Sequence, residues 1–70
     1  MERYLIRYNG RQFEGIDRRE CITRIVGEVL AKELGAAGRD AASETFNALQ
    51  RLSGGAPLMT VLESVRGALA

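Results

Sequence analysis

The chain contains no histidine and a single cysteine, Cys21. Without histidine it lacks the side chain that most often moves protons near neutral pH. One cysteine closes no intrachain disulfide. With histidine absent, a structural zinc site, which takes four Cys or His ligands, has no donor set. No apolar run approaches the ~18 residues that mark a membrane helix. The N-terminal MERYLIRYNG lacks the basic start and continuous apolar core of a signal peptide. Charge of one sign is also missing: Lys+Arg 10 against Asp+Glu 9 leaves a net +1, too little for a global field toward nucleic acid or anionic lipid. A lone free thiol and no export signal fit a reducing compartment, and the expected location is cytoplasmic with no membrane association.

What is present describes one small folded domain over residues 1–70. A composition of 46% hydrophobic and 27% charged residues is that of a globular chain, not a disordered one. A domain of this size buries only about 60% of its unfolded surface. Set against ~1.5 kcal/mol of ordering entropy per residue, the balance is near zero. With disulfide and metal excluded, oligomerisation or a larger partner is the remaining source of stability.

Residues 8–15 read YNGRQFEG. Asn-Gly is the strongest short hairpin signal, because a type I′ turn needs φ > 0 at both central positions. A two-residue loop at Asn9-Gly10 sets the register: Tyr8 opposite Arg11, Arg7 opposite Gln12, Ile6 opposite Phe13, Leu5 opposite Glu14, Tyr4 opposite Gly15. The hairpin spans residues 2–16. Tyr4, Ile6, Tyr8 and Phe13 form a core face, with Tyr4 as aromatic cover for Gly15. Arg3, Leu5, Arg7, Gln12, Glu14 and Ile16 form a mixed outer face on which Arg7 and Glu14 are diagonal neighbours.

Three helices follow. Asp17 is the N-cap of the first, Glu20 completes a D-x-x-E capping box, and Ile16 with Cys21 forms a hydrophobic staple. That helix spans about residues 18–34, with Ile22, Ile25, Val26, Val29, Leu30 and Leu34 at helical spacing and Gly35 as its stop. Gly27, costly in mid-helix, implies close approach of another backbone. After Ala36-Ala37-Gly38, the second helix spans about residues 39–52, with Asp40 near its start and Ala42, Thr45, Phe46, Leu49 and Leu52 on one face. Ser53-Gly54-Gly55 ends it. Pro57 stands at N1 of a third helix, about residues 57–68, striped by Leu58, Val61, Leu62, Val65 and Leu69 with Met59 beside the stripe. The fold class is α+β, a two-stranded antiparallel hairpin followed by three α-helices (ββααα). Two strands cover only about one or two helices on one face, so the apolar supply exceeds what the hairpin can bury, and a homodimer is a possible outlet.

Reaction chemistry is not evident. Glu14, Asp17 and Glu20 are close in sequence, but a cross-strand pair and a cap account for them. Cys21 falls in the first turn of a helix near Arg18 and Arg24, a setting that lowers a thiol pKa. It has no histidine base, however, and lies in an apolar stripe as a small core residue would. S-G-G-A-P follows a helix and lacks the Lys-Ser/Thr ending of a phosphate loop. No catalytic, cofactor-binding or metal-ligating residue is assigned, and no enzyme activity is expected.

Arg3, Arg7, Arg11, Arg18, Arg19 and Arg24 all fall within the first 24 residues, interleaved with Glu2, Glu14, Asp17 and Glu20. Arginine is enriched at protein interfaces. The expected partner-binding residues are Arg3, Leu5, Arg7 and Arg11 on the hairpin and Arg18 and Arg19 at the start of the first helix. In size and style the chain is similar to small single-domain proteins of phages and mobile elements, among them anti-CRISPR proteins and other anti-defence inhibitors. That resemblance implies a non-catalytic protein that binds and occludes a larger protein partner. The alternative is a small nucleic-acid-associated protein using the same arginines, with Tyr4, Tyr8 and Phe13 as stacking groups.

Overall fold

The computed structural model describes residues 3–53 and 55–70. The expected hairpin start at Glu2 and the Gly54 part of the second helix stop lie outside them. Two strands, β1 (Tyr4–Tyr8) and β2 (Arg11–Gly15), are followed by α1 (Arg18–Leu34), a 3-10 segment (Gly35–Asp40), α2 (Ala41–Leu52) and α3 (Leu58–Leu69). The class is α+β in the expected order. The two strands pair antiparallel in the register that the Asn-Gly turn dictates, from Tyr8↔Arg11 at the tip to Tyr4↔Gly15 at the base. Asn9 at φ 53° and Gly10 at φ 76° supply the two positive angles of the type I′ turn.

Helix α1 is the axis of the molecule. The hairpin packs on one side of it, and α2 and α3 pack on another. Asp17 caps it as expected, its side chain accepting the Glu20 N–H at 2.9 Å. Ile16 stands 70% exposed instead of being stapled against Cys21, because Cys21 turns under the hairpin. Gly35, at φ 59°, terminates the helix and donates its N–H to the Ala31 carbonyl.

The link between the first two helices is tighter than an open loop. Gly35–Asp40 winds as a 3-10 helix, so the second α-helix begins at Ala41, two residues later than expected, and its Asp40 side chain makes no cap bond. The turn brings Gly38 onto α1. A Cβ there would lie 2.5 Å from the Leu30 carbonyl oxygen, inside any permitted contact. Gly38 is therefore the glycine of close approach. Gly27, expected in that role, would carry a Cβ with nothing within 4 Å.

The core joins Ile22, Val26 and Leu30 of α1 to Ala41, Ala48 and Leu49 of α2 and Val61, Leu62 and Val65 of α3, with Ile6 of β1 packed against it. The buried seam of α2 is rotated from the expected face. Ala41, Thr45, Ala48 and Leu49 are buried, while Ala42 is exposed, Phe46 is 54% exposed and Leu52 is 41% exposed. The small side chains of Ala41 and Ala48 let α2 settle closely on its neighbours, so bulk alone misidentifies the seam. Thr45 tolerates burial because its hydroxyl donates to the Ala41 carbonyl at 2.6 Å. In α3, Pro57 precedes the helix as its N-cap instead of opening it, and its carbonyl accepts the Val61 N–H at 3.1 Å.

Candidate functional site

The register separates the expected binding residues. Strand alternation puts Arg3, Leu5 and Arg7, with Gln12 and Glu14, on the outer face of the hairpin, and all five are exposed. Arg3 lies 3.8 Å from Glu14 across that face, taking the place expected for Arg7. Among the described residues Arg7 makes no ion pair or hydrogen bond. Leu5, 51% exposed, lies between the two arginines.

Arg11 belongs to the other face, since it is paired with the inward-facing Tyr8. Its guanidinium bonds the Glu28 carboxylate of α1 and sits 5.2 Å from the Phe13 ring centroid. It pins the hairpin to α1. Arg18 is directed inward as well, donating to the Ala56 carbonyl at 2.6 Å and so tying the first turn of α1 to the α2–α3 connection. Arg19 lies over the exposed Phe46 ring, 5.9 Å from its centroid. The structure thus brings Arg3, Leu5 and Arg7 together and places Arg11, Arg18 and Arg19 on three other contacts.

The core face of the hairpin is only partly as expected. Ile6, Tyr8 and Phe13 are half-buried, while Tyr4 is 42% exposed. Gly15 is covered by α1: a Cβ there would lie 2.9 Å from Glu20 Cβ and 3.1 Å from the Cys21 amide nitrogen. Gly15 lets the first turn of α1 sit directly on β2. There the fully buried Cys21 points its thiol at the Tyr4 carbonyl, 3.1 Å away, with the Phe13 carbonyl at 3.7 Å. Burial pushes the Cys21 thiol pKa up, Glu20 adds to the rise, and Arg24 opposes it. Cys21 is a packed junction between hairpin and helix.

Sequence reasoning missed a second surface feature. Among the described residues, the large apolar side chains left exposed are Tyr4, Leu5, Ile16, Phe46, Leu52 and Met59. Tyr4, Leu5 and Ile16 are at the open end of the hairpin. Leu52 and Met59 flank the connection that Arg18 reaches, and Phe46 lies under Arg19. Leu52 and Met59 thus lie by the start of α1 that Arg18 joins to the α2–α3 connection, while Phe46 is in the middle of α2. The legible signal was Ile16, an isoleucine just before an N-cap among charged neighbours.

Between β2 and α1 runs an open groove of about 770 Å³ whose lining includes Arg3, Gln12, Glu14, Arg24, Gly27 and Ala42. Among the described residues no group of three Cys, Asp or Glu side chains is placed to hold a metal ion. None of the described helices is long and apolar enough to cross a membrane. The chain matches no protein-family model, no curated protein and no solved structure.

Proposed function

We propose that the protein is a non-catalytic interaction module that binds and occludes a larger protein partner, with the outer face of the hairpin as its principal contact. The observation that carries this is the Arg3–Leu5–Arg7 row. All three side chains are exposed, and Arg7 has no ion pair among the described residues. Leu5, exposed between the two arginines, supplies apolar area that a partner can desolvate beside side chains suited to anchor it. Arg19, stacked on Phe46, extends the surface around the start of α1.

The internal pairing of cations weighs against the nucleic-acid alternative. Arg3, Arg11, Arg24 and Arg66 each face a carboxylate, Glu14, Glu28, Glu20 and Glu33 respectively. The remaining cations, Arg7, Lys32, Arg39 and Arg51 among them, are spread over β1, α1, the 3-10 segment and α2, whereas phosphate binding uses a continuous basic track. Burial of the Cys21 thiol likewise weighs against a reading with Cys21 as nucleophile.

The test is affinity purification from lysate of the source cell, with and without nuclease, followed by direct binding measurements on the partner recovered. The Arg3→Glu/Arg7→Glu double variant is expected to lose at least about tenfold in affinity, the order of one lost charged contact, with an unchanged thermal melt. Full retention of affinity in that variant would reject this face. Partners lost on nuclease treatment would favour the nucleic-acid alternative.

A further inference from the structure

The outer face of the hairpin is continuous with an unused hydrogen-bonding edge. In a hairpin closed by a two-residue turn, the residues flanking the turn are a hydrogen-bonded pair and such pairs alternate along the ladder. Tyr8↔Arg11, Ile6↔Phe13 and Tyr4↔Gly15 are therefore the bonded pairs, and the N–H and C=O groups of Leu5 and Arg7 point away from β2. Among the described residues the sheet has two strands. Outside the helices and the ladder, the backbone bonds among the described residues involve neither Leu5 nor Arg7. An edge of this kind is a template for another strand.

We propose that the free edge of β1 takes up an extended acidic segment of the partner protein as a third strand. This rests on the hairpin-face reading above and specifies its chemistry. Charge selects the occupant. In antiparallel pairing of β1 with a second copy of itself about Leu5, Arg3 of each chain falls opposite Arg7 of the other, so two like-charge pairs oppose the dimer. The same two arginines, spaced two residues apart on either side of Leu5, complement a segment of the pattern acid–x–apolar–x–acid. Its alternate carboxylates meet Arg3 and Arg7, its apolar side chain meets Leu5, and its backbone bonds the Leu5 and Arg7 edge. Arg7 has no competing carboxylate among the described residues, and the 3.8 Å contact from Arg3 to Glu14 lies on an exposed face, where such a pair yields readily.

The experiment is an NMR titration of the intact, ¹⁵N-labelled protein with three capped peptides: Glu-Thr-Val-Thr-Glu, the same peptide with Lys for both Glu, and the acidic peptide N-methylated at Val. Strand addition predicts saturable shifts of the Leu5 and Arg7 amides and a slowing of their hydrogen exchange by about tenfold with the acidic peptide alone. N-methylation, which preserves every charge but blocks the bond opposite Leu5, is expected to weaken binding by about tenfold. Equal binding of the two acidic peptides would overturn strand addition while leaving the arginine face standing. Shifts confined to Gln12 and Glu14, or no saturable shift with any peptide, would overturn it too. Amides of Leu5 and Arg7 already protected in a concentration-dependent dimer would assign the edge to a second copy and overturn the proposed occupant. Failure of the hairpin-face reading shows separately, as full partner affinity in Arg3→Glu/Arg7→Glu.

Discussion

A glycine inside a helix costs about 1 kcal/mol relative to alanine unless a neighbour needs the space. Gly27 and Gly38 give opposite answers to that condition. Gly27→Ala meets open space and is expected to raise stability by about 1 kcal/mol. Gly38→Ala forces a methyl against the Leu30 carbonyl and is expected to cost about 1–3 kcal/mol. Chemical denaturation of the two variants beside the parent checks both signs at once. Cys21 gives a second test at this scale. Its pKa is raised above the ordinary 9.0 in the fold, so the folded state holds the thiol proton longer than the unfolded chain does. The stability from burying the neutral thiol is present below pH 9.0 and is lost as pH rises through the folded value. Cys21→Ser removes that ionisation. The fall in denaturation midpoint between pH 7 and pH 10 is expected to be smaller in the variant than in the parent, and the parent thiol should react with a disulfide reagent only on unfolding.

The elements are held together by bridges that sequence spacing does not reveal. Arg66 on α3 donates two hydrogen bonds to the Glu33 carboxylate on α1, at 2.9 and 2.8 Å. The Arg66 hydrogen bond holds the Glu33 carboxyl below its ordinary 4.5, and Glu33 raises Arg66 in turn. Because the folded value is depressed, this contribution is present above pH 4.5 and is lost as pH falls through the folded pKa. Both groups are exposed, so the effect is modest. Glu33→Gln is expected to narrow the stability difference between pH 7 and pH 3, measured by thermal melts at the two values. Sequence spacing located the strands, the turn and the Asp17 cap because each depends on neighbours close in the chain. It misplaced the buried seam of α2, where Ala41 and Ala48 outrank Phe46 because helix separation, not side-chain size, decides what is covered.

For the whole molecule, the arrangement of charge matters more than its amount. Among the described residues, four arginine–carboxylate pairs leave Arg7 and Arg19 as the candidate anchors near the hairpin and the start of α1. Generic duplex DNA and single-stranded RNA are expected to show no measurable binding at physiological salt, by fluorescence anisotropy, because few phosphates could be neutralised together. A steep salt-dependent titration would instead restore the arginines as a phosphate surface.

Of the candidate site, the alternation rule alone separated Arg3, Leu5 and Arg7 from the inward side chains, since strand period and turn type are local properties. Sequence reasoning groups Arg11 with Arg3, Leu5 and Arg7 as a hairpin contact residue, but its pairing with Tyr8 puts it on the inner side, where the packed hairpin bonds it to Glu28. The chain's own order of residues determined the ββααα succession, the hairpin register and the first helix cap, because turns, caps and periodicity act over a few residues. Tertiary structure decided that Gly15 and Gly38 are crowded and Gly27 is not, which face of α2 is buried, and that Arg18 reaches Ala56. Those outcomes depend on segments brought together only when α2 folds back along α1 and the hairpin closes over Cys21.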